Sequence, residues 1–518
     1  MTAGPDPVVS GPEPSRGDED DLRDLAGGAL VVLAGKAARL SRGAFLWVIT
    51  LLCGLEVVGL YSMAWAVCST LNTLARFGLQ RGVVYRVTAA RASGDRRRES
   101  AAIAAGLLVA AIAGVAVAAA VTLLADRIAS FYDKPVAGVL RIMAWTAPCL
   151  ALGCVLTAAT RALRIMRYEV YVRSVAGPLL LFAGGTAVGL AGLGLTAIAW
   201  VQLAMAAGTL LLAAWYFRRH FSLLAAAGAA AGRPPLRSLT RFCVPVTLTD
   251  LLYSLLAQLD VLMLAKYVDP WVVAVYILAR RAASIVLKAP QAFDAIFSPV
   301  VSDLSLRRRE AALGDRFAIV ARWILTVNLP LAGCLLLLGD PLLSLLAAGG
   351  LDLAGLTLAL RVLVVLCLGM TVHSVFAVAE PLLAMSGRPG LNLLNNGLWL
   401  ALNFGLNLWL IEVWGALGAA LGAAASMLLV NLWRLGQLYV VRGIWPLRRS
   451  LLKPLLAAAA AAGAAAWLPG AAGPALGAVA AAAVFLLVYG IVLVALGLER
   501  EDRVLLERVR HRAAGGRG

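Results

Sequence analysis

Six ionisable side chains interrupt two long apolar runs near the middle of the chain. The runs, roughly 242–265 and 271–296, are joined by a turn at Lys266–Pro270, and they carry Asp250, Asp260, Arg280, Arg281, Lys288 and Asp294. Each is long enough to cross a bilayer, since about 20 helical residues at about 1.5 Å each span about 30 Å. An ionised group at mid-membrane costs roughly 2.5–3.5 kcal/mol on insertion scales. A helix hairpin that accepts several must point them at water, at one another or at a ligand. A first apolar helix adds Lys36, Arg39 and Arg42. If it starts near Gly28 they lie about 12, 16 and 21 Å deep, and steps of three keep them on one broad face. Arg280 and Arg281 lie about 14–15 Å from the opposite face. The two helices then present cations at one level, and a diphosphate is the natural ligand because guanidinium forks match phosphate oxygens. Two alternatives stay open. A helix starting nearer Gly43 makes the first three cations a flank, and Arg280 or Arg281 pairs with Asp250 or Asp260.

Other polar groups extend this set. Arg76, Arg81 and Lys288 sit at inward helix ends, where they attract an anionic headgroup or simply snorkel to the interface. Asp250, Asp260, Asp294 and Glu380 are candidates for coupling to an ion. Asp260 also reads as a residue that stabilises its own half. Glu380 precedes Pro381, which frees a backbone carbonyl and places the carboxylate at a broken helix. His373, seven residues earlier on nearly the same face, is either a packed polar residue or a proton relay with Glu380. Asn392, Asn395, Asn396, Asn403 and Asn407 bond either sugar hydroxyls or neighbouring helices. The pairs Gly185/Gly189 and Gly418/Gly422 predict close helix packing.

Composition sets the class. The 518 residues are 61% hydrophobic and 14% charged, with a mean hydropathy of +0.86, against about 45–50% and about 25% in soluble domains. The expected fold class is an all-α polytopic membrane protein. A formal charge of +18 raises nucleic acid as a partner, but the arginines cluster in short loops between apolar runs, as membrane topology requires. The seven cysteines lie in or beside apolar runs, form no C-x-x-C pair and imply neither disulfides nor a metal site. The histidines are scattered. No phosphate-binding G-x-x-x-x-G-K-[ST] loop is present, which argues against primary pumping. No catalytic residue, metal or cofactor is expected.

About fourteen transmembrane helices fit, near 28–54, 57–83, 101–124, 138–160, 174–192, 195–217, 242–265, 271–296, 318–339, 356–384, 391–411, 413–440, 454–468 and 475–497. Basic residues follow every even-numbered helix from the second to the twelfth, among them Arg96, Arg97 and Arg98, Arg218 and Arg219, and Arg448 and Arg449. The other loops hold only Arg127, Lys134 and Lys266. Both termini are therefore expected in the cytoplasm. Residues 1–24 read as a disordered tail, without a cleaved signal. The expected layout is an N-terminal lobe at 25–217, a basic linker at 218–241, a second lobe at 242–445, two alanine-rich helices at 446–498 and a basic tail at 499–518.

The two lobes repeat each other. Val57–Tyr61 matches Val272–Tyr276, Arg167 matches Arg388, and Gly192–Ala197 matches Gly415–Ala420, at offsets of 215 to 223 residues. Six helices per unit insert both copies the same way, giving parallel pseudo-symmetric lobes with a path between them. Here the chain resembles the oligosaccharide (O-antigen/polysaccharide) flippases of the multidrug/oligosaccharidyl-lipid/polysaccharide exporter superfamily. The resemblance rests on Val58–Tyr61, Pro245, Asp260–Leu264, Tyr276, Phe297–Val300, Met385–Arg388 and Asn403–Ala420, in order over about 28–440. Ala274 departs from the usual glycine, and the doubled Arg280-Arg281 is unusual. The resemblance implies translocation of a polyprenyl-diphosphate-linked glycan to the outer leaflet of a bacterial inner membrane. It also implies membrane lipids and glycan-assembly enzymes as partners. Two rivals remain: an antiporter of a drug or anionic metabolite on the same fold, and a membrane enzyme using polyprenyl-linked sugars.

Overall fold

The computed structural model describes residues 40–222, 236–288, 310–376, 378–385, 389–445, 448–467, 474–497, 499 and 502, and among them there is no β-strand. The first half comprises α1 (Leu40–Arg76), α2 (Leu79–Ala92), α3 (Arg96–Tyr132), α4 (Ala137–Ala144), α5 (Thr146–Ala162), α6 (Arg167–Leu190) and α7 (Leu195–Arg218). The second half comprises α8 (Leu236–Tyr267), α9 (Pro270–Ala283), α10 (Glu310–Leu337), α11 (Gly339–Leu346), α12 (Leu353–Phe376), α13 (Ala379–Met385) and α14 (Pro389–Arg442). A last pair, α15 (Leu452–Ala466) and α16 (Pro474–Ala495), follows.

Among the described residues eleven stretches are long and apolar enough to cross a membrane. Two of these, Gly43–Ala92 and Gly390–Arg442, run to 50 and 53 residues, and each contains a glycine that leaves helical geometry. Gly54 has φ 86° and Gly415 has φ 55°, a left-handed region that costs glycine least. The chain doubles back there. The rings of Phe45 and Tyr61 meet at 5.6 Å, although 16 residues of straight helix would separate them by about 24 Å. Across the second break Asn395 donates to Gln437 at 2.7 Å. These two glycines mark the expected boundaries near 54–57 and 411–413. The expected thirteenth helix is only 15 residues long and falls short of a span.

Glycine lets the helices touch. A Cβ at Gly185 would meet the Phe45 ring at 2.6 Å, and one at Gly189 would meet Leu52, so α6 lies tight against the first arm of α1. Gly418 and Gly422 do the same for the two arms of α14, against Leu410 and Asn407. The last pair docks on α10, where the Tyr489 hydroxyl donates to the Thr326 carbonyl at 2.9 Å.

The chain beyond α16 ties that docking down. Asp502 accepts from both terminal nitrogens of Arg322 at 2.6 and 3.0 Å and from Trp323 Nε1 at 2.8 Å. Lys453 donates to Glu499 at 2.7 Å. The Arg322 side chain is only 7% exposed. Burial pushes the Asp502 carboxyl up, but Trp323 and Arg322 together hold it below its ordinary value. Its contribution is therefore full above the unfolded carboxylate value of about 3.9 and is lost as pH falls through the lower folded value. Asp502→Asn is expected to weaken the clasp by about 1.5–3 kcal/mol, read as faster amide exchange across α15 and α16. Unchanged exchange would mean that the apolar packing of the pair suffices.

Candidate functional site

The two halves meet along α1 and α2 on one side and α8 and α9 on the other. At the end bearing Pro270 the contact is close. A Cβ on Gly59 would overlap the Pro270 carbonyl, Trp47 Nε1 donates to the Leu345 carbonyl at 2.7 Å, and Lys266 donates to the Phe131 carbonyl. At the other end Arg81 faces Asp250 at 3.5 Å, Arg86 donates to the Ser238 carbonyl at 3.2 Å, and the rings of Tyr85 and Phe242 stack at 5.2 Å.

Between the halves, toward that second end, lies a cavity of about 460 Å³. The first half lines it with Arg76, Arg81, Arg161 and Gln80, the second with Asp250 and Tyr253. Each cation is held differently. Arg161 is paired with Glu169 at 3.1 Å. The Arg81–Asp250 pair is largely solvated, with side-chain exposures of 63% and 38%, and such pairs contribute about 0.2–1 kcal/mol. Arg76 bonds only its own helix, at Asn72 O (3.4 Å) and Thr73 Oγ1 (3.1 Å). Among the described residues no carboxylate lies within ion-pair distance of Arg76. Its guanidinium lines the cavity without a carboxylate partner.

The expected pairing of Asp250 with Arg280 or Arg281 is not found. Asp250 faces Arg81, and Arg280 donates to the Ala257 carbonyl at 2.6 Å. Arg280, Arg281 and Lys288 do not line the cavity. Lys36, Arg39 and Asp294 lie outside the described residues, and of Arg42 only the backbone, in the first turn of α1, is described.

Asp260 is 4% exposed and accepts from the Tyr276 hydroxyl at 3.0 Å and from Asn407 at 3.1 Å. It joins α8, α9 and α14, in keeping with a residue that stabilises its own half. Pro381 stands in the first turn of α13, where a missing N–H is tolerated, and the helix break comes just before it, after Phe376. This break carries Glu380, whose side chain is 29% exposed, up against the buried Arg434. Its Oε1 accepts from the Tyr253 hydroxyl at 2.6 Å and its Oε2 faces Arg434 at 3.5 Å. The Arg434 side chain is 0% exposed and also donates to Asn396 at 2.7 Å. Tyr253 therefore touches the cavity and this network at once. His373 bonds Asn431 at 3.0 Å and packs 5.2 Å from the Trp399 ring. It is a packed polar residue here, with no bond to Glu380. The asparagines bond within the protein, Asn392 to the Glu380 carbonyl and Asn407 to Asn403 and Asp260.

Arg434 carries no expectation from the sequence, and Arg161 counts there only among the basic residues that follow an even-numbered helix. A lone arginine inside the apolar run 413–440 was the available signal for the first.

These features can be set beside known proteins. A profile of the polysaccharide biosynthesis protein family matches residues 53–348, more than half of the chain. The chain belongs to that family. No curated protein matches the sequence. Among solved structures, the lipid II flippase MurJ in an inward closed conformation is similar at a TM-score of 0.73 and 12% identity, over 90% of this chain and 98% of that one. An inward-facing multidrug resistance MATE transporter of the MOP superfamily gives 0.66 and 15%, over 79% and 96%. A MOP superfamily transporter from Pyrococcus furiosus, described by the reverse polarity of its binding pocket, gives 0.53 and 16%, over 79% and 94%. The fold of this family member is thus that of MOP superfamily transporters.

Proposed function

We propose that the protein is a flippase that carries a polyprenyl-diphosphate-linked glycan from the cytoplasmic to the outer leaflet of a bacterial inner membrane. The observation that carries this reading is the cavity between the halves, lined by Arg76, Arg81 and Arg161. A site for an organic cation would want carboxylates in excess, and this one has three arginines against Asp250. Arg76, without a carboxylate of its own, is the first contact for a diphosphate, and Arg81 exchanges Asp250 for it. Lys36, Arg39, Arg42, Arg280, Arg281 and Lys288 serve the headgroup at other stages of the passage.

In this reading residues 25–217 and 242–445 are lobes that rock about their shared contacts, with the linker 218–241 and both termini in the cytoplasm. The cavity then opens toward the cytoplasm and the Pro270 end faces out. Coupling to an ion falls to Glu380 rather than Asp260, because Glu380 is one side chain from the cavity through Tyr253, whereas Asp260 is fully engaged in bonds.

The test uses vesicles holding purified protein and a fluorescent polyprenyl-diphosphate glycan, read by an impermeant quencher. Arg76→Gln is expected to lower affinity and flipping about 10–100-fold, since a hydrogen bond to a charged group contributes about 1.5–3 kcal/mol. Wild-type rates in Arg76→Gln, or transport of cationic dyes by the wild type, would overturn the reading.

A further inference from the structure

A second, smaller cavity of about 190 Å³ lies inside the first half, between α1, α5, α6 and α7. Arg76 and Cys154 line both cavities, so the two adjoin at these side chains. At the junction the small cavity is cationic through Arg76, while Arg173, on its wall, is paired with Glu169 at 3.1 Å. The cavity's other walls include Trp65, Leu150 and Met205. One wall comes from the π-helical turn Val170–Ala176, a geometry often found at functional sites.

The hydroxyls of Ser69 and Thr209 and the Asn72 amide nitrogen already bond within the protein. Ser69 and Thr209 donate to carbonyls of their own helices, at 3.3 Å and 2.9 Å. Asn72 Nδ2 donates to Thr146 at 3.2 Å. Water gains little there beyond the junction, since a buried water needs two to four polar partners. A space cationic at one end, with these polar groups already bonded, suits an occupant with an anionic head and an apolar body. An engineered apolar cavity of about 150 Å³ holds a six-carbon ring, so this one has room for a five-carbon isoprenoid unit.

We propose that the small cavity is a subsite for the isoprenoid unit next to the diphosphate, with Arg76 holding the proximal phosphate at the junction. The assignment rests on the diphosphate-lipid reading above. It divides the ligand, placing the distal phosphate and sugar in the large cavity and the start of the lipid among α1, α5, α6 and α7.

Cys149 lines the small cavity and not the large one, which makes it a native reporter. In a protein whose other six cysteines are replaced, and whose flipping is verified, geranyl diphosphate is expected to slow alkylation of Cys149 by N-ethylmaleimide about tenfold or more. Inorganic diphosphate is expected to leave the rate unchanged. A second variant crowds the space. Gly153 lines the cavity and a Cβ there would meet only Leu210 Cα, at ordinary contact distance of 3.9 Å, so Gly153→Leu adds apolar bulk at its wall. Gly153→Leu is expected to reduce geranyl diphosphate affinity about tenfold, to that of inorganic diphosphate, whose own affinity stays unchanged. If both ligands bind equally well and Cys149 reacts at one rate throughout, the subsite is refuted and the diphosphate reading stands. If neither ligand binds, the diphosphate reading itself falls, and the subsite with it.

Discussion

Glu380→Ala is expected to destabilise the protein by about 3–5 kcal/mol, the usual result of removing one partner from a buried ion pair. Arg434 would keep its charge in a site with 0% side-chain exposure. Its Nε and Nη1 atoms already lack a bonded partner, and Asn396 would be its one remaining hydrogen bond among those described. Glu380→Gln keeps an acceptor for Tyr253 and should lose less. The double variant Glu380→Leu with Arg434→Met should recover most of the loss, because an apolar pair of similar volume removes the uncompensated charge. Unfolding in mixed micelles measures all three. A single-variant loss below about 1 kcal/mol, the scale of a solvated pair, would show that water reaches Arg434 and that the network is open to the cavity.

Gly59→Ala is expected to slow flipping about 5- to 150-fold. The added Cβ would overlap the Pro270 carbonyl, and the neighbour is backbone, so no rotamer change relieves it. Overpacking of this kind costs about 1–3 kcal/mol, and a state visited in every cycle passes such a penalty to the rate at about tenfold per 1.36 kcal/mol. Spin labels at Asp133 and Asp269, both exposed on opposite halves, should report a longer distance in the variant. An unchanged distance together with wild-type flipping would mean that this contact is not part of the cycle.

Much of the architecture was legible from residue types alone. The breaks at Gly54 and Gly415, the close packing at Gly185 and Gly418, and the family itself all follow from local pattern, because a reversal or a tight crossing needs glycine at the point of contact. Pairing between helices was less legible. Hydropathy sets the depth of Asp250 only approximately and leaves the rotation of its helix open, so Arg280 and Arg81 were both within reach of it. Arg434 was hidden for a related reason. One charge barely lowers the mean hydropathy of a long run, and its partner Glu380 lies more than 50 residues away in sequence. The small cavity had no sequence signal beyond Arg76, since its other walls come from four helices that only the fold brings together.

The two ends of the contact between the halves differ in what holds them. At the Pro270 end the bonds run from Trp47 and Lys266 to main-chain carbonyls, beside the backbone contact of Gly59, and no carboxylate takes part in them. At the cavity end a solvated Arg81–Asp250 pair spans the halves, beside the Arg86–Ser238 bond and the Tyr85–Phe242 stack. Salt screens such a pair. The first end thus behaves as a mechanical stop, insensitive to ionic strength, while the second responds to it. Raising salt should loosen the protein from the cavity side alone, and an anion arriving there acts on the side that charge can move.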